Sequence, residues 1–215
     1  MSIIRVESLT KQYGKKTVLD KISFEIERNT ITAIIGKSGS GKSTILNIIG
    51  MLEEYQGGSV EVEGKKLPKI NSNQAMKLRR ERINYLFQSA ALIGDISVRE
   101  NLLLAMNFED LGKKEKNRRI EEVLKELEID SLIDSYVNTL SGGEAQRVAM
   151  ARCILKQGDI ILADEPTGSL DVVTRDKVFE ILTRLRDKYN KTIVMVTHDV
   201  KLAKSSDRII NINHL

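Results

Sequence analysis

The chain has 215 residues, 41% of them hydrophobic and 30% charged, so it is long enough for one domain with a real core and too apolar to be disordered. Its 34 Lys and Arg against 30 Asp and Glu lie in mixed runs, and we expect no nucleic-acid partner. The single cysteine, Cys153, excludes a disulfide within the chain, and no apolar run approaches the roughly 18 residues of a membrane-spanning helix.

The first third of the chain alternates between strand and helix patterns. Alternating apolar and polar residues in "IIRVESLT" and "VLDKISFEIE" predict antiparallel strands. The continuous apolar run "TITAIIG" (30–36) is typical of a buried parallel strand. Helical spacing follows in "STILNIIGML" (43–52), and "GGSVEVEG" (57–64) has the pattern of another strand.

The middle of the chain is mostly helical in pattern, and the last third alternates again. Residues 72–135 contain one strand-like stretch, "INYLFQ" (83–88), and an amphipathic helix at 113–129. The elements predicted after them are a buried strand at 159–166, a helix at 174–189, a buried strand at 191–199 and a last strand at 207–212. Hydrophobic strands that alternate with helices predict an α/β fold with a doubly wound core, into which the helical middle is inserted.

A phosphate-binding loop follows the first buried strand. "GKSGSGKST" (36–44) fits the pattern G-x-x-x-x-G-K-[ST]. Its glycines allow the backbone to approach phosphate oxygens, and the next helix points unpaired N–H groups at them. We expect Lys42 to reach the β- and γ-phosphates and the Ser43 hydroxyl to ligate Mg²⁺.

Polar residues also end two later strands. Asp164 and Glu165 follow the apolar run of the second buried strand, and His198 follows the third. Because ligands of open parallel sheets lie beyond the carboxyl ends of the strands, these side chains should lie near the phosphate loop. Asp164 would orient Mg²⁺ through its waters, and Glu165 would align or deprotonate an attacking water.

A second helix start suited to phosphate lies about a hundred residues after the loop. In "LSGGE" (140–144), the signature segment, Ser141 can cap a helix, while Gly142 and Gly143 leave its backbone uncovered. One domain would thus have two helix starts built for the same anion.

These motifs together resemble the ATP-binding cassette (ABC) ATPases over nearly the whole chain. The resemblance depends on the phosphate loop, "FQ" (87–88), the signature segment, "ILADEPTGSLD" (161–171) and "VTHD" (196–199), in the order of the family. It implies a single domain, 1–215, with a phosphate-loop (RecA-like) doubly wound core, an N-terminal antiparallel β sub-domain and an inserted α-helical sub-domain at about 89–155.

The resemblance also implies a role for each matching residue, with ATP and Mg²⁺ bound. Tyr13 would stack on adenine, Gln88 would ligate Mg²⁺ with Ser43 and Asp164, and Glu165 would be catalytic together with Lys42 and His198. Asp171 would lie in a loop that reaches the other subunit. The residues expected to bind the nucleotide through the loop itself are Gly36, Lys37, Ser38, Gly39, Ser40, Gly41, Lys42, Ser43 and Thr44.

Two partners follow from the resemblance. A second, antiparallel copy of the chain would place Ser141 and Gly143 on the γ-phosphate of ATP held by the first copy, which explains the two helix starts. An integral membrane permease would dock near Gln88 and residues 89–106, and would hold the chain at the cytoplasmic face of a bacterial membrane.

"DEPTGSLD" and the small size resemble the sub-group of macrolide-export, lipoprotein-release, cell-division and bacteriocin-export ATPases. The expected function is therefore that of the ATP-hydrolysing subunit of an exporter. Two alternatives remain: a cassette ATPase that acts on DNA or ribosomes, and an unrelated phosphate-loop kinase or GTPase. Ala145, where relatives often have Gln, should matter little, and we expect no regulatory domain after "DRIINI".

Overall fold

The computed structural model describes residues 2–168 and 170–215, so Met1 and Ser169, the latter within "DEPTGSLD", lie outside the described residues. The strands are, in chain order, β1 (Ser2–Tyr13), β2 (Lys16–Glu27), β3 (Ile31–Ile35), β4 (Gly57–Val62), β5 (Lys65–Lys66), β6 (Ile83–Leu86), β7 (Ile160–Asp164), β8 (Thr192–Val196) and β9 (Arg208–Asn211). The α-helices are α1 (Lys42–Ile49), α2 (Asn73–Glu81), α3 (Val98–Ala105), α4 (Lys113–Glu126), α5 (Gly142–Leu155), α6 (Val172–Tyr189) and α7 (Val200–Ser205).

The N-terminal strands form an antiparallel sheet in the order β2-β1-β4-β5. Side chains alternate across β1: Ile4 and Val6 are buried, whereas Arg5 and Glu7 face solvent. This period of two is the physical basis of the sequence pattern, and it confirms the predicted antiparallel strands.

The other strands form a five-stranded parallel sheet in the order β6-β7-β8-β3-β9. Both faces of β7 are covered: Ile161 and Ala163 pack into the core that includes α3 to α7, and Ile160 and Leu162 into the core under the antiparallel sheet and α1. Burial on two faces explains the continuous apolar runs and confirms the doubly wound α/β core.

Three helices, α3, α4 and α5, occupy the part of the chain for which a helical insertion was predicted. The buried stripe of α4 consists of Ile120, Val123 and Leu124, as the amphipathic pattern indicated. Cys153 on α5 is 1% exposed, so it is a residue of the core. Within the described ranges, no helix combines the length and apolarity that a membrane span requires.

The register of the parallel sheet aligns the ends of three neighbouring strands. Ile34 of β3 lies opposite Val196 of β8, and Val196 lies opposite Asp164 of β7. The segments that follow these strands contain the phosphate loop, Glu165 and His198. The sheet therefore brings the three predicted motifs to one edge, as the rule for ligand sites in such sheets requires.

Candidate functional site

The phosphate loop wraps around the first turn of α1. Gly41 has φ +94°, and a Cβ there would lie 2.6 Å from Leu19 Cδ2, so the position requires glycine. The first turn of α1 has no acidic residue and no side chain that caps its N–H groups. Its amide donors and the positive end of the helix dipole are therefore left for an anion.

Lys42 is 6% exposed and turns back over the loop. Its ammonium donates to the carbonyl oxygens of Gly36 at 3.0 Å and Lys37 at 2.9 Å. The N–H of Ser40 also donates to the Lys37 carbonyl, at 3.2 Å. The loop thus closes around a cation that is held where an anion on the helix start would meet it.

Ser43 and Asp164 join α1 to the end of β7. The Ser43 hydroxyl donates to Asp164 Oδ1 at 2.9 Å. Across residues 2–168 and 170–215, no cluster of three or more His, Cys, Asp or Glu side chains forms a metal site. The protein thus offers a hydroxyl, a carboxylate and the nearby Gln88 amide, a partial oxygen set that suits Mg²⁺, which keeps waters and phosphate oxygens as ligands.

Glu165 lies directly after β7 in a strained turn. Its φ is +47°, which is uncommon for a residue other than glycine, and its N–H donates to the Val196 carbonyl at 3.0 Å. His198 contacts the carboxylate twice: its Nε2 lies 3.3 Å from Oε1, and its backbone N–H donates to Oε2 at 3.3 Å. The acid and the imidazole therefore lie side by side at the ends of neighbouring strands.

Most of the predicted site residues line a cleft of about 620 Å³, which we call the phosphate-loop cleft. Its lining includes Tyr13, Val18, Ser38, Gly39, Gly41, Lys42, Ser43, Thr44, Gln88, Glu165, Gly168 and His198. Tyr13 is 47% exposed at the rim, where its hydroxyl bonds to Glu53 and lies 3.4 Å from the Thr44 hydroxyl. Val18 and Gly168 were not predicted, because they have no reactive group that a sequence pattern would single out.

Ser141, Gly143 and Asp171 lie elsewhere, in a cleft of about 340 Å³ that we call the signature cleft. The residues that line it are Ser141, Gly142, Gly143, Glu144, Arg147, Leu170, Asp171, Thr174, Lys177 and Val178. None of the residues that the structure describes lines both clefts. The two predicted phosphate-binding helix starts therefore face separate spaces on the same chain.

A capping box begins α5 at the signature cleft. The Ser141 hydroxyl and N–H both donate to Glu144 Oε2, at 2.7 and 2.8 Å, and the Glu144 N–H lies 3.4 Å from the Ser141 hydroxyl oxygen. These bonds to Ser141 hold the pKa of the Glu144 carboxyl below its usual value. Glu144 is thus an anion that occupies the donors of Ser141.

Asp171 caps the start of α6 beside this cleft. Its carboxylate accepts from the Thr174 N–H at 3.1 Å and from the Thr174 hydroxyl at 2.6 Å. Arg175 donates to Asp199 Oδ2 at 2.8 Å and to the Leu170 carbonyl at 3.2 Å. The segment around Asp171 is therefore tied to the one that follows His198.

Two side chains of α5 reach the segments around Gln88 and Glu165, and neither was predicted. Gln146 donates to the Pro166 and Phe87 carbonyls, and Arg152 donates to those of Tyr85, Ala90 and Ala91. The sequence signal that could have identified them is a polar residue on the apolar face of a helix. Such a signal indicates a buried hydrogen bond without identifying its partner.

Comparison with known proteins gives consistent similarities. A family model described as ABC transporter matches residues 19–168. The macrolide export ATP-binding/permease protein MacB of Mannheimia succiniciproducens is 41% identical over 216 residues, which cover 99% of this chain and 33% of that protein. Its counterpart in Campylobacter jejuni is 39% identical over 98% of this chain and 33% of that protein. The chain thus spans about a third of the length of these relatives.

Solved structures resemble the fold over nearly its full extent. A dimeric, post-hydrolysis state of the ATP-binding cassette MJ0796 bound to ADP and Pi has a TM-score of 0.86 and 35% identity, covering 97% of this chain and 93% of that one. The cbiO1 protein of Clostridium perfringens, part of an ABC transporter complex, has a TM-score of 0.88 and 27% identity, covering 98% of this chain and 84% of that one.

Proposed function

The chain belongs to the ABC transporter family, and from that premise we propose that it is the ATP-hydrolysing subunit of a membrane exporter. The observation that carries the proposal is the division of phosphate-binding features between two clefts. One cleft has the loop, Glu165 and His198, and the other has Ser141 and Asp171. A motor that closes two copies over ATP needs this division.

In the phosphate-loop cleft, the chain would bind ATP and activate a water. The α1 amides and Lys42 hold the β- and γ-phosphates, and Tyr13 packs against the adenine ring. Glu165, oriented by His198, accepts a proton as water attacks the γ-phosphorus and the bond to the β-phosphate oxygen breaks. ADP and phosphate are the products.

Ser43, Asp164 and Gln88 would hold Mg²⁺ against the phosphates. The 2.9 Å bond between Ser43 and Asp164 supports this assignment, because it brings an uncharged and a charged oxygen together beside the loop. When bound, the cation neutralises charge on the phosphate oxygens. Gln88 adds an amide oxygen from the segment that follows β6.

The signature cleft would act on the nucleotide of a second copy. The Ser141 hydroxyl and the first amides of α5 would contact the γ-phosphate that the partner copy holds, and Asp171 would lie at the interface between the copies. The dimeric state of the similar cassette supports this arrangement. ATP would join two copies, and its hydrolysis would release them.

A membrane permease would couple this closure to transport. Exposed apolar side chains lie in and next to the predicted docking segment, residues 89–106: Ile93 is 51% exposed, Leu104 53% and Phe108 67%. Exposed apolar residues that cluster in one segment are typical of an interface. The substrate would be a peptide, lipid-linked or drug-like molecule, and the macrolide export relatives favour the drug-like class. The chain would act at the cytoplasmic face of the membrane. The helical sub-domain at about 89–155 stays a prediction within this scheme.

Replacement of the proposed catalytic acid tests the function. Glu165→Gln removes the proton acceptor but keeps the size of the side chain, so we expect ATP binding to persist and kcat to fall by about 10²-fold or more. The variant should then accumulate as a dimer when ATP is present, as measured by size-exclusion chromatography with and without nucleotide.

Glu180→Gln, an exposed position on α6, is the matched control and should hydrolyse ATP as the natural chain does. A Glu165→Gln variant that stays monomeric with ATP and still hydrolyses it would contradict the proposed role of Glu165.

A further inference from the structure

One buried side-chain amide, that of Gln146, links the helix that follows the signature segment to the segments that contain Gln88 and Glu165. Gln146 is 2% exposed, one turn into α5 after Ser141. Its side-chain Nε2 donates to the Pro166 carbonyl at 2.9 Å and to the Phe87 carbonyl at 3.4 Å. Burial of an amide is costly unless its donors are satisfied, and both N–H groups here have an acceptor.

The two acceptors adjoin residues of the phosphate-loop cleft. Pro166 directly follows Glu165, and Phe87 directly precedes Gln88. Within the Glu165 turn, the Gly168 N–H donates to the Glu165 carbonyl at 3.0 Å. A Cβ on Gly168 would lie 3.0 Å from Gln88 Nε2, so the turn and the Gln88 side chain are also packed against each other.

The turn that contains Glu165 needs external support. Its backbone strain at φ +47° persists only if the surroundings hold it. On the β8 side, the Val196 carbonyl accepts from the Glu165 N–H at 3.0 Å. On the α5 side, the Gln146 amide holds the Pro166 carbonyl at 2.9 Å. Loss of the amide would leave a buried carbonyl without its donor and release one side of the turn.

We infer that Gln146 is a positioning residue, which holds Glu165 where it can accept the proton of the attacking water and links it to Gln88 and to the α5 helix that begins at Ser141. The inference depends on the proposed ATPase function. Because a displacement of about 1 Å can cost about 10²-fold in rate, a loosened turn should lower kcat while the phosphate loop still binds ATP. The link also joins the catalytic acid for one nucleotide to the helix that would contact the other.

Gln146→Met tests the inference, since Met fills a similar volume without any N–H donor. We expect kcat to fall about tenfold or more, with the KM for ATP changed by less than about twofold. Gln157→Met is the matched control: Gln157 is exposed and donates to Glu109 at 3.0 Å, and its replacement should leave both constants unchanged.

Gln146→Glu separates a lost donor from altered packing. Its carboxylate would face two carbonyl oxygens without a proton, whereas the protonated acid would have one O–H to donate to Pro166. The kcat of this variant, divided by that of the natural chain, should therefore rise as the pH falls from 8 to 6. The same ratio for Gln146→Met should not depend on pH.

Four outcomes decide the matter. A kcat of Gln146→Met equal to that of the natural chain would overturn the inference. A pH-independent kcat ratio for Gln146→Glu would overturn it as well. If circular dichroism shows that Gln146→Met does not fold, the ratio for Gln146→Glu decides alone. An inactive Glu165→Gln with a fully active Gln146→Met would overturn only the role of Gln146. An active Glu165→Gln would overturn the proposed function itself.

Discussion

At the residue scale, the polar groups proposed to meet the nucleotide already have bonds within the protein. Lys42 bonds to two loop carbonyls, Ser43 to Asp164, and Ser141 to Glu144. These bonds satisfy groups that would otherwise be left without partners, and they keep each side chain close to its proposed position. ATP binding would then exchange one set of hydrogen bonds for another, so only the surplus contributes to affinity.

Glu144 is the residue for which this exchange matters most. Its carboxylate accepts from both the N–H and the hydroxyl of Ser141, and those bonds keep its pKa low. Glu144 is therefore an anion at neutral pH, at the helix start proposed to receive a phosphate. Its charge repels that phosphate and competes with it for the Ser141 donors.

Glu144→Gln should favour closure of the dimer, because Gln keeps an acceptor for Ser141 but has no charge. Exposed charge pairs contribute roughly 0.2–1 kcal/mol, so we expect half-maximal dimerisation at an ATP concentration lower by about 1.4-fold to fivefold. Sedimentation of the Glu165→Gln background with and without Glu144→Gln measures this shift. Glu7→Gln on β1 is the control, and an unchanged or higher ATP requirement for Glu144→Gln would refute the repulsion.

At the element scale, α5 connects more of the site than any sequence pattern indicated. It begins at the signature cleft, and Arg152 near its end donates to the carbonyls of Tyr85 at 3.2 Å, Ala90 at 3.0 Å and Ala91 at 2.6 Å. Ala90 and Ala91 both have positive φ, at 60° and 47°, just after Gln88. Arg152 thus satisfies the carbonyls of a strained segment that the proposed permease would contact.

Periodicity predicted the strands and helices, and the rule for parallel sheets predicted which strand ends would meet. Such reasoning could not predict the hydrogen bonds made by the side chains of α5, because the bonded residues are far apart in the sequence. Gln146 and Phe87 are 59 residues apart, and Arg152 and Ala91 are 61 residues apart. Acceptors that are backbone carbonyls leave no trace in the sequence, since every residue has one. The capping box was foreseeable, because Ser141 and Glu144 have its spacing.

Lys156, just after α5, joins that helix to α2 and β6. Its ammonium donates to the carbonyls of Arg79, at 2.9 Å, and Ile83, and burial lowers its pKa to about 8. Because the folded pKa is below the unfolded value, the unfolded chain binds more protons than the folded chain between about pH 8 and pH 10. This group therefore penalises the folded state fully below pH 8, and the penalty fades as the pH rises.

Lys156→Met removes the titrating group, so the stability of the natural chain relative to this variant should increase from pH 7 to pH 10. After allowance for solvent screening, we expect a gain of roughly 1–2 kcal/mol, measured by urea unfolding at each pH. Lys113→Met, at an exposed position that begins α4, should show no such trend. A pH-independent difference for Lys156→Met would contradict the assignment.

At the scale of the whole molecule, the two clefts have no described residue in common, which is what we expect if each chain provides half of two sites. A two-fold axis presents the same patch on both copies, so the phosphate-loop cleft of each would meet the signature cleft of the other. Two phosphate-binding helix starts in one domain suggested this arrangement from sequence. The sequence could not predict that Ser141 and the phosphate loop line separate clefts, because their separation depends on how α5 packs against the sheet.

The most direct test of a site shared between two copies mixes two inactive variants. Ser141→Arg blocks the signature cleft, and Lys42→Ala disables the loop, so each alone should lose ATPase activity, with ATP affinity retained in Ser141→Arg. In a mixed dimer one site combines an intact loop with an intact Ser141, so a 1:1 co-expressed mixture should recover up to about a quarter of the natural activity. A mixture that stays as inactive as either variant alone would mean that Ser141 serves only the nucleotide of its own chain.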